Sequence, residues 1–294
     1  MSSPPLLAIV GETATGKSAV AMELAERFDG EIVNADSWQI YRGMDIGTAK
    51  PTESDRAKVK HHLLDIADPD EEFTAAIYKE MAVKAIGSIG AKNKTPILVG
   101  GTGLYIDGVL FDYSFLPPGE SGEREMWQAM DIDELVNEIE ERGYPLDGID
   151  VRNKRRLIRL LENRGKTPSR SGLRDNTLVI GIYTSRNMLR SNIERRVEKM
   201  FRSGLRHEVR ELADEYGWGA EAMKGIGYRE FYEYLHGSQS MSETKRKIIK
   251  NTIELAKRQR TWFKRNREIV WVDSTQKAID EARSFLEGKY SHGR

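Results

Sequence analysis

Short apolar runs alternate with stretches of helical periodicity along most of the chain. Leu6–Val10, Glu31–Asp36, Pro96–Gly101, Leu178–Ser185 and Ile269–Ser274 are nearly continuously apolar and bounded by Gly, Asp or Ser. Runs of that length and composition predict strands buried on both faces, as in a parallel sheet. Between them the spacing of apolar residues becomes helical. Val20, Leu24 and Phe28 repeat every four residues, and Thr74 is placed to cap a helix carrying Ile77, Met81 and Ala85. Ile193, Val197 and Met200 continue into Leu205, Val209 and Leu212, with Gly204 as the break. Strands alternating with helices predict an α/β doubly wound fold, a parallel sheet flanked by helices.

The alternation stops between Pro117 and about Asn176. The stretch opens with Pro117-Pro118-Gly119. Its apolar positions predict helices around Ile132–Arg142 and Asn153–Arg164, followed by a loop over Thr167–Gly172. The expected organisation is a core of residues 1–116 and 176–294, interrupted by a short helical insertion over 117–175.

The 294 residues are enough to bury a core without staples, and cysteine is absent. A disulfide framework, a thiolate nucleophile and a cysteine-bound zinc are therefore excluded. No apolar run approaches the roughly 18 residues of a spanning helix, and Met1 to Val10 has no basic flank. A cytoplasmic, monomeric protein with no membrane partner is expected. Net charge is zero, from 46 basic and 46 acidic residues, but the charges are segregated. Glu120 to Asp150 holds 11 acidic and 2 basic residues, and Arg152 to Arg174 holds 9 basic and 1 acidic. Lys245 to Arg267 holds 10 basic and 1 acidic. One such run is ordinarily a solvated helix face; two in a neutral chain point to a polyanionic partner.

Gly11-Glu12-Thr13-Ala14-Thr15-Gly16-Lys17-Ser18 fits G-x-x-x-x-G-K-[ST] between a strand-like and a helical run. Backbone N–H groups of such a loop curl around phosphate oxygens, and the next helix points its positive end at them. This makes the expected fold P-loop NTPase-like. Lys17 adds a point charge, and Ser18 can ligate Mg²⁺. The pattern specifies a phosphate, not a reaction: an ATPase, a kinase and a diphosphate-releasing transferase would all use it. Asp36 ends the second apolar run, where α/β sheets place ligands. It reads as a metal-side carboxylate, a general base or a turn residue capping the next segment. His61 and His62 are adjacent; on a strand they point to opposite faces and cannot easily share an ion.

Six ordered segments spanning about residues 6–274 resemble the tRNA dimethylallyltransferase (tRNA isopentenyltransferase) family. GETATGKS is followed by Asn34 to Pro51, NADSWQIYRGMDIGTAKP, similar to the family's NADSxQxYxGxDIGTAKP. His61 to Glu71 resembles HHLxDIxxPxE, and Pro96 to Asp107, PILVGGTGLYID, is nearly the family pattern as it stands. Gly225 to Glu230 resembles IGYxE, and Ala256 to Phe263 resembles AKRQxTWF. There are departures. Glu12 stands where the family has Pro, an Arg is missing at Thr252-Ile253-Glu254-Leu255, and the insertion is short with an altered basic helix at Arg152 to Glu162.

The resemblance implies transfer of a dimethylallyl group from its diphosphate to N6 of the adenosine just 3′ of the anticodon, releasing diphosphate. Asp36 would be the general base, and Lys17, the loop amides and Mg²⁺ on Ser18 would neutralise the leaving group. Arg196 matches the family's diphosphate arginine by its offset from Met200, with Arg195 as the competing position. Thr13 could bond the substrate within the loop. Asp36, Ser37, Trp38 and Gln39 would line the pocket of the extruded adenosine, and Thr102 would lie in its neighbourhood. Arg124, Arg155, Arg156 and Arg159 of the insertion would hold the anticodon stem-loop, together with Lys257, Arg258, Arg260 and Lys264. Lys250, Lys257 and Lys264 fall nearly on one helix face, with Ile249, Ile253, Ala256 and Phe263 packing opposite. Trp262 is read as core in preference to a stacking platform. Other classes compatible with the loop are a prenyltransferase acting on free adenine nucleotides, a small-molecule kinase and a non-catalytic RNA-binding protein.

Overall fold

The computed structural model describes residues 3–116 and 121–289. The predicted Pro117-Pro118-Gly119 opening of the insertion lies outside them. The elements run β1 (Leu6–Val10), α1 (Lys17–Arg27), β2 (Gly30–Asn34), α2 (Glu53–Lys58), β3 (His61–His62) and α3 (Ala75–Gly90). Next come β4 (Thr95–Val99), α4 (Gly103–Leu110), α5 (Ser121–Ala129), α6 (Ile132–Glu141) and α7 (Lys154–Glu162). The chain continues through β5 (Thr177–Ile182), α8 (Arg186–Arg202), α9 (Leu205–Tyr216), α10 (Tyr232–Leu235), α11 (Met241–Phe263), β6 (Ile269–Val272) and α12 (Thr275–Leu286).

Residues 1–110 and 173–294 form one compact unit, and residues 111–172 form a second. The first is built on a six-stranded sheet in the order β3-β2-β4-β1-β5-β6, every pairing parallel. Leu7, Ile9, Ile97 and Ile180 pack with Val20, Leu24 and Ile279 of α1 and α12. Their strand neighbours Leu6, Ala8, Val10, Leu98 and Val179 point to the other face and are equally buried. With both faces covered, each strand reads as a continuous apolar run rather than an alternation. A separate cluster joins α8, α9 and α11 to the segment after β2, through Ile193, Val197, Leu205, Val209, Ile248 and Met44.

Two expectations need correction. In α3 the buried stripe is Tyr78, Ala82, Ile86 and Ile89, one residue on from the predicted Ile77, Met81 and Ala85. Ile77 is 43% exposed. Tyr78 takes the inward position because its ring stacks on Tyr105, centroids 3.9 Å apart, while its hydroxyl donates to the Asn34 carbonyl at 2.9 Å. A buried tyrosine thus satisfies both its apolar body and its polar tip. Thr74 caps the helix as expected, accepting from the Ile77 amide. In α11, Ile248 is the buried isoleucine; Ile249 and Ile253 are half-buried, while Ala256 and Phe263 are buried.

In the second unit, α5, which the pattern did not predict, joins α6 and α7 around Trp127, Leu135, Ile139, Leu157 and Leu161. Asp131 and Glu134 form a capping box at the start of α6, and Asn153 caps α7. Such caps are worth about 1 kcal/mol each.

Candidate active site

β1 runs directly into the phosphate loop. Gly11 and Gly16 have φ of 137° and 91°, which side chains rarely adopt, and Ala14 has φ of 62°. Gly16 begins α1 with no side chain capping the helix, so the first amides of α1 are left for an anion. The Lys17 ammonium donates to the Glu12 carbonyl at 2.5 Å. Burial lowers its pKa to about 8, opposed by the nearby Asp36 carboxylate.

β4 lies between β1 and β2, and its carboxyl end joins the loops after both. The Gly100 amide donates to the Ile9 carbonyl, and the Thr102 amide donates to the Ala35 carbonyl. A Cβ at Gly100 would sit 2.0 Å from the Ala35 oxygen, so no other residue fits there. Thr102 Oγ1 accepts from the Ser37 amide at 3.0 Å and donates to the Ser37 hydroxyl at 3.2 Å.

β2 ends at Asn34, so Asp36 stands in the turn beyond the strand rather than at its last position. Its Oδ1 accepts from the Trp38 amide at 3.0 Å. The turn role and the chemical role are therefore not exclusive: one oxygen fixes the turn while the residue lines the cleft. That cleft, about 680 Å³, is also lined by Thr13, Lys17, Ser18, Gln39 and Arg196.

Arg196 and Arg195 are separated by the structure. Arg196 donates to Thr13 Oγ1 at 3.2 Å and to the Thr48 carbonyl at 2.8 Å. Burial pulls its pKa below the usual arginine value, again opposed by Asp36. Arg195 is exposed and bonds Asn192 on its own helix. Gln39 spends its amide nitrogen on the Thr48 and Ala49 carbonyls, at 3.2 and 3.3 Å.

Several positions to which the sequence assigned no role hold this arrangement. The Thr13 amide donates to Gln259 Oε1 at 2.7 Å, and Gln259 Nε2 donates to the Gly101 carbonyl at 3.0 Å. Asn192 Nδ2 donates to the Ala14 carbonyl at 3.0 Å. Glu208 is buried and accepts from the amides of Asp45, Ile46 and Gly47, at 3.0, 2.7 and 2.9 Å. It also accepts from the Tyr228 hydroxyl at 2.7 Å. The IGY string thus supplies a buried phenol that helps hold the DIGTAK loop, whose Thr48 carbonyl meets Arg196. The only signal for Glu208 was a charge on the inward side of an amphipathic helix.

The residues assigned to tRNA divide. Lys257, Arg258 and Lys264 are exposed on α11 and just beyond its end. Arg260 is not: its side chain is 22% exposed and is paired with Glu12. Trp262 is half-buried rather than core; its indole N–H donates to Asp107 at 2.9 Å, and the Arg265 guanidinium lies 4.3 Å from its ring centroid. In the second unit Arg155 and Arg156 are exposed. Arg124 and Arg159 both bind Glu162, whose side chain is fully buried, at 2.9 and 2.7 Å.

His62 bonds Glu31 at 2.7 Å and His61 bonds the Val59 carbonyl at 2.8 Å, so each has its own partner. Among the described residues no three His, Asp or Glu side chains gather as a metal cage. The cleft offers the Ser18 hydroxyl and a nearby carboxylate. That donor set fits a Mg²⁺ carried largely by substrate oxygens and water. Among the described residues no helix is long and apolar enough to cross a membrane.

The profile of the IPP transferase family matches residues 39–266. A tRNA dimethylallyltransferase from Bacillus licheniformis is 39% identical, covering 98% of each chain. Another from Pelobacter propionicus is 45% identical over 93% of this chain and 94% of that one. The crystal structure of the tRNA isopentenylpyrophosphate transferase of Bacillus halodurans is 35% identical, with a TM-score of 0.75 over 97% of this chain and 96% of that one. A eukaryotic dimethylallyltransferase acting on tRNA shares the fold, with a TM-score of 0.82 at 23% identity over 99% of this chain and 82% of that one. A phosphate loop facing Asp36 across one cleft, the motif order and this full-length similarity converge: the chain belongs to the IPP transferase family.

Proposed function

We propose that this chain transfers the dimethylallyl group of dimethylallyl diphosphate to N6 of the adenosine immediately 3′ of the anticodon in tRNA, as a cytoplasmic enzyme. The observation that carries this reading is one carboxylate and two desolvated cations in a single cleft: Asp36, Lys17 and Arg196. An exocyclic adenine amine is a weak nucleophile. Asp36 takes the N6 proton as the new C–N bond forms to the first carbon of the dimethylallyl group. The C–O bond to diphosphate breaks in the same displacement. Lys17, the amides at the start of α1 and Arg196 meet the charge that builds on the departing oxygens. Mg²⁺, held by Ser18 and the diphosphate itself, would add charge neutralisation.

An N6 amine is out of reach while its base is stacked, so the adenosine has to be extruded, at a cost of about a few kcal/mol. Asp36, Ser37, Trp38 and Gln39 form the turn that would receive it, tied to Thr102 through Ser37. The exposed cations Arg155 and Arg156 of the insertion, and Lys257, Arg258 and Lys264 at the end of α11, would hold the anticodon stem-loop backbone. Incubation with dimethylallyl diphosphate, Mg²⁺ and bulk tRNA tests the reading. Digestion and mass analysis should yield N6-isopentenyladenosine; its absence, with phosphoryl transfer from ATP in its place, would mark a kinase.

A further inference from the structure

Glu12 places a carboxylate inside a loop built to receive an anion. It is buried, 5% exposed, and its charge acts on Lys17, the loop's own cation. Left alone it would repel a diphosphate and would also be a buried charge without a partner. Both of its oxygens are taken by Arg260 of α11. Nε meets Oε1, and Nη2 meets Oε2 at 2.8 Å, a two-bond fork that lysine cannot reproduce. Nη2 also reaches the Thr184 carbonyl after β5, at 3.5 Å. The preceding residue, Gln259, bridges the Thr13 amide and the Gly101 carbonyl. Two successive side chains of α11 are therefore spent on the phosphate loop and the turn beside it.

Arg260 lies three residues after Lys257 and four before Lys264, so helical spacing groups it with those exposed lysines. Its burial and its fork on Glu12 separate it from them. We propose that Arg260 is a positioning residue for the phosphate loop, cancelling the Glu12 carboxylate so that the loop accepts diphosphate, and is not a tRNA contact. The inference rests on the reading above that this loop holds diphosphate. It also pairs two departures in one device: Glu12 stands where the resembled pattern has proline, and Arg260 occupies the unspecified position of AKRQxTWF.

The test is calorimetric titration with inorganic diphosphate of wild type, Arg260→Ala and Glu12→Gln/Arg260→Ala. Arg260→Ala should weaken diphosphate binding by about tenfold or more, because a carboxylate is left uncompensated beside the ligand. Removing that carboxylate in the double variant should restore binding to within about threefold of wild type. A residue that merely braces the fold, or one that grips tRNA, gives no such rescue. In parallel, the salt dependence of tRNA binding should have the same slope in Arg260→Ala as in wild type. A slope shallower by about 0.7–0.9 would make Arg260 a phosphate contact and overturn the proposal. If Arg260→Ala does not fold, Arg260→Gln and Glu12→Gln/Arg260→Gln decide: the single variant leaves the carboxylate uncompensated and should bind diphosphate weakly, and the double variant should bind nearly as wild type does. Weak binding by both overturns the proposal. A wild type that ignores diphosphate overturns the loop assignment and this inference with it. A wild type that binds, with no rescue in the double variant, overturns this inference alone.

Discussion

The cleft and the insertion both depend on basic side chains but use them in opposite ways. In the cleft, Lys17 and Arg196 have lost most of their water, and each has its pKa lowered by burial. In the insertion, Arg124 and Arg159 keep 44% and 40% of their side-chain surface while bracing one buried carboxylate, Glu162. Arg155 and Arg156 stand in solvent. A desolvated cation acts strongly over a short distance on charge that develops during reaction. A solvated cation acts weakly, adds to affinity for a polyanion, and is screened by salt. Variants of the two regions should therefore fail differently, in turnover for the cleft and in salt-dependent tRNA affinity for the insertion and the exposed end of α11.

The largest loss is expected from Asp36→Asn. Asparagine can keep the turn bond to the Trp38 amide but cannot take a proton. Transfer should fall by about 10²–10⁴-fold while tRNA binding changes little. Single-turnover rates at saturating substrates measure it; transfer within a few-fold of wild type would remove the general-base role. Lys17→Ala and Arg196→Ala follow, each lowering kcat by roughly 10²–10³-fold and not only raising the KM for dimethylallyl diphosphate. Arg195→Ala should do neither, because its side chain faces solvent. Equal losses at Arg195 and Arg196 would undo the distinction between a half-buried arginine lining the cleft and an exposed one on the same helix.

The sheet was legible because its strands are buried on both faces, and continuous apolar runs mark such strands well. The phosphate loop and Asp36 were legible because special backbone geometry and a charge just past an apolar strand are local signals. Pairings between distant segments were not. Nothing local says that Gln259 caps the Thr13 amide, or that Glu208 gathers three amides of a loop more than 160 residues earlier. The Glu12–Arg260 pairing was hidden for the same reason: helical spacing puts Arg260 among exposed cations, and only the fold brings Glu12 to it. The α3 stripe slipped by one residue because periodicity ranks Ile77 and Tyr78 alike until a hydrogen-bond acceptor for the phenol is in view.

Glu208 offers a structural way to disturb the cleft. Glu208→Ala leaves three amides and a phenol without their acceptor in a buried place. The expected cost is about 3 kcal/mol of stability, read from denaturant unfolding. The DIGTAK loop carries the Thr48 carbonyl that binds Arg196, so kcat should fall as well. Glu208→Gln keeps the shape and two lone pairs and should recover part of both. A stability change below about 0.5 kcal/mol would show that the loop holds itself.

The smallest effect belongs to the solvated cations. Arg155, Arg156 and Lys257 are exposed, and Lys257 pairs with Glu254 one turn away, an exposed pair of little energetic weight. A triple alanine variant should keep kcat and the KM for dimethylallyl diphosphate, because none of the three lines the cleft. Its KM for tRNA should rise. Each lost phosphate contact should flatten the slope of log affinity against log salt by about 0.7–0.9. Titrating tRNA binding at several salt concentrations, for wild type and the triple variant, reads this directly. Parallel lines would mean these side chains are only solvated faces. The division between desolvated cations for turnover and solvated cations for grip would then fail at its weaker end, while the cleft assignments would stand on the Asp36 and Lys17 variants.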